Sequence, residues 1–436
     1  MTEVITSKTK SVITSDMEGR IETFNEAAER IFGYKAEDMI GKVRVSLFSP
    51  GRTVLQYVPA WLKTASIEGE FVGKTVFIDR EGNPIPAKIR ITPTFKDGVQ
   101  VGFCGVTEVL KDVKPEEVAP NISLMTKIFS WLVITRAPFL TAVMVPILIA
   151  AAWVATQGGL ETFPAGLFWL TFFGGIFLHV AANTFNDYFD WKSGTDQGNN
   201  DYFLPYTGGS RSIELGLITE KGLFRVASVA LLLSGAIGVY LASVSGNGIY
   251  AFGLFGAFSA YFYTAPPLRL VARRGIGELL IGLNFGPVAT AGAVYALTGT
   301  LSTEAFLVGI PIGLLTTAIL WINQFPDEAS DKAAGKINLV VALGKEQARY
   351  GYLALMLAAF GLVTYWAVSG VFPLGALLFL GGLPLAISAS RVLMREYAER
   401  TLVRANVATI KLQFVAGALM AAGLLWNDSI LGILGL

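Results

Sequence analysis

Histidine and cysteine are almost absent from this 436-residue chain, and charged residues are scarce. The single Cys104 excludes an internal disulfide framework and a cysteine-based zinc site, and the single His179 excludes histidine-rich metal sites. Charged residues make up 15% of the chain and the net charge is +1, which argues against nucleic acid as a partner. Hydrophobic residues make up 53% and the mean hydropathy is +0.54, values typical of a polytopic membrane protein.

Residues 1–112 differ from the rest because they have the composition of a small soluble α+β domain. The predicted elements are two strands around Met17-Glu18-Gly19, helices broken at Gly33 and Gly41, a helix from Arg52 to about Ser66, and strands near 70–79, 85–95 and 100–106. This segment resembles a PAS domain. The residues that carry the resemblance are Asp16–Gly19, Phe24–Ala28, Phe32–Tyr34, Ile40-Gly41 and Asp79–Asn83.

The PAS resemblance implies ligand sensing, cofactor binding or dimerisation. No histidine lies in the segment, so haem held by a histidine is excluded. Cys104 lacks the asparagine-cysteine motif of photoactive flavin versions, and we expect it to be a buried small side chain. The PAS ligand stays open, as does the choice between a sensor that regulates the rest of the chain and a structural module. Residues 113–124 form a polar, proline-bearing linker.

Residues 125–436 predict an all-α membrane bundle of about nine helices. Apolar runs long enough to span a membrane occur near 137–156, 163–183, 223–244, 249–266, 277–298, 304–323, 349–368, 372–390 and 407–427. The loops after the odd-numbered runs contain no Lys or Arg, whereas those after the even-numbered runs are basic. The positive-inside rule therefore predicts a cytoplasmic-membrane protein with the front domain inside and the C-terminus outside.

Two polar clusters follow apolar runs on the predicted cytoplasmic side. The first contains Asn183, Asn186, Asp187 and Asp190 on one helical face, then Asp196, and the second contains Asn323, Asp327 and Asp331, then Lys336. Converging carboxylates at a membrane surface need cations to neutralise them. Mg²⁺ prefers oxygen ligands and is usually shared with substrate phosphates, so the clusters predict a clamp for Mg²⁺ and a diphosphate.

Basic side chains near the two clusters are candidates for binding the phosphate oxygens. These candidates are Lys192, Arg211, Arg269 and Lys336. The chemistry that such a site suits is loss of diphosphate from an allylic chain, with metal and cations stabilising the leaving group.

Several residues near the clusters have two readings. Asp187 is either a ligand or a residue behind the ligands. His179 is expected in the wall of the site rather than as an acid or base. Arg136 either binds substrate or marks the inner boundary of the first span, and Tyr263 either stabilises a cation or belongs to an interfacial aromatic belt.

Beyond the clusters, the chain resembles the UbiA-type membrane prenyltransferases over residues 125–436. The motifs that carry the resemblance are Asn183–Asp190 with Gly194 and Asp196, Gly208–Arg211, Tyr263–Pro267, Gly275–Glu278, Asn323–Lys336 and Leu343-Gly344. The details look most like the 1,4-dihydroxy-2-naphthoate branch of menaquinone synthesis. The chain departs from that branch at Phe325-Pro326 and Ile337-Asn338, and in having a fused PAS domain.

The UbiA resemblance implies a prenyltransferase that lies in membrane lipid, uses Mg²⁺, a polyprenyl diphosphate and an aromatic acceptor, and makes a lipid-soluble product. The expected metal ligands are Asn186, Asp187, Asp190, Asp196, Asp327 and Asp331. The expected substrate-binding residues are Asn183, Lys192, Arg211, Arg269, Lys336, Asn323, Arg136 and Tyr263. Catalysis is expected to depend on Asp190, Asp327, Lys336 and Arg211. The acceptor could instead be another aromatic ring or a glycerol-phosphate lipid, and the rival readings are a cation-coupled transporter and a membrane-bound sensor.

Overall fold

The computed structural model describes residues 9–195 and 209–427, and Asp196 therefore lies outside the described residues. The chain divides into two compact units. The first comprises residues 1–134 with 211–219, and the second comprises residues 135–210 with 220–436. The segment 211–219 therefore belongs to the first unit, although in sequence it lies between two membrane helices.

The first unit contains a five-stranded antiparallel sheet in the order β2-β1-β5-β4-β3. Its strands are β1 (Ser11–Asp16), β2 (Ile21–Phe24), β3 (Phe71–Ile78), β4 (Pro84–Lys96) and β5 (Val99–Val109). Burial alternates residue by residue along β1, as expected for a strand with one face on a core. The predicted succession of two strands, helices and three strands is confirmed.

Short helices cover one face of this sheet, around a core that includes Phe32, Phe48 and Phe77. They are α1 (Glu26–Phe32), α2 (Ala36–Met39), a 3₁₀ turn (Val45–Phe48), α3 (Gly51–Gln56) and α4 (Val58–Glu68). The helix predicted from Arg52 to Ser66 is wrong as a single element, because it divides at Tyr57. Pro59 lies in the first turn of α4, where its missing N–H costs no hydrogen bond but prevents an unbroken helix.

Helix α3 packs against the segment 211–219 within the first unit. A side chain at Gly51 would overlap the carbonyl oxygen of Leu215 and approach the side chain of Leu217. Leu215 and Leu217 are both buried. Glycine at position 51 is therefore required by this close approach of two backbones.

The linker and the following helix also belong to the first unit. They form α5 (Pro115–Val118) and α6 (Leu124–Ile134). Ser123 caps α6, since its hydroxyl accepts a hydrogen bond from the Thr126 amide at 3.1 Å. Helix α6 exposes the large apolar side chains of Leu124, Met125 and Phe129.

The second unit is helical, and eight of its helical segments are long and apolar enough to cross a membrane. The segments are 137–158, 165–192, 220–245, 276–298, 303–333, 345–368, 374–396 and 400–425. The remaining predicted span, near 249–266, forms a helix of only 15 residues, Gly248–Phe262. The fold is thus the predicted all-α membrane bundle, with eight full-length candidates and one shorter apolar helix among the described residues of the second unit.

The helices of this second unit follow one another in a regular order. They are α7 (Thr141–Gly158), α8 (Ala165–Lys192), α9 (Glu220–Ser245), α10 (Gly248–Phe262), α11 (Ile276–Leu283), α12 (Ala289–Thr298), α13 (Thr303–Leu307), α14 (Ile310–Ala333), α15 (Leu339–Leu343), α16 (Lys345–Val368), α17 (Leu383–Glu396) and α18 (Val403–Leu425). A π-helical segment (Asn284–Val288) joins α11 to α12, and 3₁₀ turns precede α7, α11, α17 and α18.

The span 303–333, which contains α13 and α14, is the most deeply buried candidate span among the described residues. The Trp321 indole donates to the carbonyl of Ala348 at 2.9 Å, which fixes α14 to α16. Glycine allows close approach where Gly313 meets Gly286 of the π-helical segment. This fixed helix carries the second polar cluster at its C-terminal end.

Candidate active site

The first polar cluster lies on the last turns of α8. Asn183, Asn186 and Asp190 line one cavity in the second unit. Their spacing of three and four residues puts them on one helical face, as the sequence predicts. Asp190 is nearly buried, with 8% of its surface exposed, so its charge depends on nearby cations or a bound ion.

The second cluster lines the same cavity from α14 and the turn that follows it. Asn323, Asp327, Asp331 and Lys336 all contribute to the wall. The Lys336 ammonium lies 3.4 Å from an Asp190 carboxylate oxygen and 3.6 Å from an Asp331 oxygen. The structure thus brings together residues from two clusters that are well over a hundred positions apart in sequence.

Lys336 is the cation at the centre of this arrangement. Burial alone would lower the pKa of its ammonium, but the carboxylates of Asp190 and Asp331 outweigh burial and raise it. Lys336 therefore stays charged and partly neutralises the acidic groups that surround it. A diphosphate that enters the cavity meets a permanent positive charge at this point.

Asp187 has different surroundings from the other residues of its cluster. It is not among the residues that line the cavity. Its carboxylate lies 3.5 Å from Arg136 and accepts hydrogen bonds from the backbone amide of Ser210 at 3.3 Å. Arg136 also donates to the Asn186 amide oxygen at 3.2 Å. Asp187 therefore holds Arg136 and the backbone at Ser210. This geometry favours a supporting role behind the metal ligands over a role as a ligand itself.

The cavity is mostly apolar beyond the two clusters and has a volume of about 370 Å³. Side chains such as Phe139, Ile147, Phe252 and Phe285 form its walls. His179 lines it too and packs edge-on against Phe285 at 5.0 Å. This combination, a polar mouth and an apolar interior, suits an amphiphilic substrate with an anionic head and a hydrocarbon chain.

Four polar groups that line the cavity have no hydrogen-bond partner among the described residues. They are the ring nitrogens of His179, the Asn183 amide nitrogen, the Tyr263 hydroxyl and the Gln324 amide oxygen. Buried polar atoms are nearly always paired, so unpaired ones in a cavity wall indicate groups that meet a ligand or water. Tyr263 is therefore part of the cavity wall rather than an isolated belt residue.

Four of the predicted site residues do not line the cavity. Lys192 is exposed and pairs with Glu220 at 2.8 Å. Arg269 is half-buried and away from the wall. Arg211 belongs to the first unit, where its guanidinium pairs with Glu214 at 2.9 Å. Asp187 is the fourth, because its carboxylate faces Arg136 and Ser210 instead of the cavity. Asp196 lies outside the described residues.

Residues that the sequence interpretation missed support the second cluster from behind. The Asn338 amide donates to Asp331 at 2.8 Å, and the Asn406 amide donates to Asn323 at 2.8 Å. Both asparagines are fully buried. Burying a polar side chain such as Asn406 within the apolar helix α18 costs free energy unless the side chain has a hydrogen-bond partner. An asparagine in an apolar helix is therefore a sequence signal for a buried polar contact.

The donor set of the cavity fits Mg²⁺, although the described residues contain no group of three or more His, Cys, Asp or Glu side chains arranged to hold a metal ion. The available donors are carboxylate and amide oxygens, from Asn186, Asp190, Asp327 and Asp331 among others. Mg²⁺ commonly takes one or two carboxylates and completes its shell with water and substrate phosphates. The site is therefore suited to binding metal together with a diphosphate.

Comparison with known families agrees with this geometry. The model of the UbiA prenyltransferase family matches residues 143–415, well over half of the chain. The chain belongs to the UbiA prenyltransferase family. It is accordingly a multi-pass membrane enzyme that transfers prenyl groups, and the family model for the PAS domain matches residues 9–114. The matched range includes both polar clusters, which contribute Asn186, Asp190, Asp327 and Asp331 to the cavity wall.

This UbiA chain matches two curated relatives over nearly their whole length. One is a 1,4-dihydroxy-2-naphthoate octaprenyltransferase from Bacillus subtilis, 26% identical over 71% of this chain and 96% of that protein. The other is a 2-carboxy-1,4-naphthoquinone phytyltransferase from Synechocystis, 28% identical over 71% of this chain and 97% of that protein. A solved digeranylgeranylglyceryl phosphate synthase is 19% identical, with a TM-score of 0.47 over 69% of this chain and 99% of that one.

Proposed function

We propose that this UbiA enzyme transfers a polyprenyl group from a polyprenyl diphosphate to 1,4-dihydroxy-2-naphthoate in an Mg²⁺-dependent reaction of menaquinone biosynthesis. The observation that carries the proposal is the single cavity lined by both clusters and by Lys336. The acceptor follows from the relatives, since those from Bacillus subtilis and Synechocystis are named for transfer to a naphthoate or naphthoquinone ring.

In the proposed reaction the chain's own residues hold the leaving group. Bound Mg²⁺, held by Asn186, Asp190, Asp327 and Asp331, would neutralise charge on the departing diphosphate. Lys336 would donate to phosphate oxygens and place its positive charge beside the leaving group. Positively charged groups that act where negative charge develops are the largest contributors to this kind of catalysis.

The apolar cavity protects the electron-poor allylic carbon. Phe139, Phe252 and Phe285 keep water away from that carbon, so the acceptor ring rather than water attacks it. The ring carbon that bears the carboxylate forms the new C–C bond as the C–O bond to diphosphate breaks. In the naphthoate reaction the ring carboxylate leaves as carbon dioxide, and the ring regains its aromatic character.

We propose the following organisation for the chain: residues 1–112 as the PAS module, 113–124 as the linker and 125–436 as the membrane enzyme. The basic loops support a cytoplasmic position for both the PAS module and the active site. The proposal is tested by labelled-prenyl transfer with full-length protein, using naphthoate, other hydroxyaromatic and glycerol-phosphate acceptors in parallel. Transfer to a glycerol-phosphate lipid and to no aromatic ring would contradict the proposed acceptor.

We further propose that the PAS module regulates the enzyme through the segment 211–219. This segment is packed on α3 in the first unit, and its neighbour Ser210 donates to Asp187 in the second unit. A rearrangement of α3 on ligand binding would therefore displace the backbone at Ser210, which contacts the Asp187–Arg136 pair. The supporting observation is the Gly51–Leu215 packing, which leaves no room for a side chain at position 51.

The substitution Gly51→Ala tests this coupling in the full chain. We expect it to change the transfer rate by about fivefold or more, because allosteric coupling is typically of that size. Gly105→Ala is the matched control, since an added methyl there would make only ordinary contacts. Unchanged kinetics for Gly51→Ala, and for a chain without residues 1–112, under all ligand and redox conditions would indicate a structural module.

A further inference from the structure

The Gln324 side chain lines the cavity from α14 and has an unusual hydrogen-bonding arrangement. Gln324 is buried, with 5% of its surface exposed. Its amide nitrogen donates to a Glu278 carboxylate oxygen at 3.0 Å. Its amide oxygen is buried and has no partner among the described residues. The protein therefore fixes the amide nitrogen of Gln324, and the amide oxygen is available to a bound ligand.

Glu278 determines which half of the Gln324 amide is left unpaired. The same Glu278 oxygen that faces Gln324 also accepts the backbone N–H of Leu339 at 2.8 Å. A backbone N–H can only donate, so this Glu278 oxygen is an acceptor, and it acts as an acceptor toward Gln324 as well. The amide must then present its nitrogen to Glu278 and keep its oxygen on the other side.

This orientation selects the chemistry of the partner. An amide oxygen repels the oxygens of a diphosphate and gains from a group that donates a hydrogen bond. The donor substrate has no such group along its hydrocarbon chain, whereas a hydroxyaromatic acceptor has ring hydroxyls. The Tyr263 hydroxyl, which lines the same cavity and is also unpaired among the described residues, can serve a second polar atom of the ring.

We propose that Gln324, positioned by Glu278, recognises a ring hydroxyl of the acceptor through its amide oxygen. The inference rests on the proposed function and deepens it, because it assigns an acceptor-recognising residue apart from the diphosphate clamp. Gln324 is the specificity-determining group in this scheme, and Glu278 is a positioning residue that does not touch the substrate.

The test measures steady-state kinetics of the purified full-length enzyme with both substrates varied and Mg²⁺ titrated. Gln324→Leu keeps the approximate volume and removes the amide. We expect the KM for 1,4-dihydroxy-2-naphthoate to rise about three- to tenfold, the size of one lost hydrogen bond. The KM for the prenyl diphosphate and the half-saturating Mg²⁺ concentration should stay within about twofold.

Three further variants make the outcome decisive. Gln347→Leu, at an exposed position on α16 outside the cavity, is the matched control and should leave all constants unchanged. Gln324→Met replaces Gln324→Leu if the latter fails to fold. Glu278→Leu removes the acceptor that orients the Gln324 amide, so the amide can turn around, and the acceptor KM should again rise selectively.

Two results with the variants would overturn the inference alone. One is an unchanged acceptor KM in Gln324→Leu, and the other is an equal or larger shift in the prenyl diphosphate KM or in the Mg²⁺ requirement, which would make the amide part of the diphosphate clamp. A wild-type enzyme that transfers no prenyl group to any hydroxyaromatic ring would overturn the proposed function together with this inference. Transfer by the wild type with unaltered Gln324→Leu kinetics would overturn the inference alone.

Discussion

Replacing Asp187 with asparagine distinguishes a residue that positions the site from one that binds its metal. In the structure the Asp187 carboxylate pairs with Arg136 and accepts from the Ser210 amide, away from the cavity. Asparagine keeps the shape and can still accept from the amide, but it removes the charge. We therefore expect Asp187→Asn to weaken the structure around Arg136 more than it weakens metal binding.

The size of the effect follows from the Asp187–Arg136 pair. At 3.5 Å, and with side chains only 4% and 17% exposed, the attraction is about 5 kcal/mol at an effective dielectric constant of about 20. The cost of burying both charges offsets part of that attraction, so we expect a net loss of ~2–4 kcal/mol in the free energy of unfolding. The unfolding temperature in detergent should fall by roughly 3–6 °C, since the entropy of unfolding grows with the size of the unit.

The assay compares Asp187→Asn with Asp190→Asn at matched protein concentration. Thermal unfolding reports stability, and initial transfer rates over a range of Mg²⁺ concentrations report metal binding. Asp190→Asn loses a charged oxygen in the cavity, and its half-saturating Mg²⁺ concentration should rise at least about tenfold, equivalent to ~1.4 kcal/mol. Asp187→Asn should show a much smaller rise. An equal shift of the Mg²⁺ requirement in both variants would refute this reasoning and restore Asp187 as a ligand.

Three other substitutions give sharp expectations. Lys336→Met should raise the KM for prenyl diphosphate at least about tenfold, because a charge-assisted contact to phosphate is lost, and should leave the acceptor KM nearly unchanged. A selective change in the acceptor KM would contradict this role. Asn406→Leu should lower kcat by about tenfold, because Asn323 loses the donor that orients it, and wild-type kcat would exclude the role. Lys192→Ala should alter the transfer rate by less than about twofold, because Lys192 pairs with Glu220 at an exposed site, and a large rise in donor KM would show that it reaches the substrate.

The sequence predicted the membrane spans and the main residues of the cavity because those signals are local. Apolar length identifies a span, and spacing of three and four residues puts Asn186 and Asp190 on one face of α8. The single helix predicted from Arg52 to Ser66 is wrong, because Pro59 in the first turn of α4 prevents an unbroken helix. The nine predicted spans became eight full-length candidates because the Gly248–Phe262 helix ends early.

Long-range partners could not be read from the sequence. Asp187 has the same helical spacing as its neighbours, and only the three-dimensional arrangement shows that Arg136 and Ser210 engage it. Lys192 lies beside the motif in sequence, yet it pairs with Glu220. Asn406 contacts Asn323 across more than eighty residues, a pairing with no local signature.

The central claim, Mg²⁺-dependent prenyl transfer at the cavity shared by the two clusters, is tested most directly by one experiment. Membranes containing the full-length protein are supplied with labelled polyprenyl diphosphate and 1,4-dihydroxy-2-naphthoate, with Mg²⁺ or with a chelator. We expect a labelled lipid-soluble product with Mg²⁺, none with the chelator, and a loss of at least about a hundredfold in Asp190→Asn and in Asp327→Asn. Full activity in either variant, or in the presence of the chelator, would contradict the account.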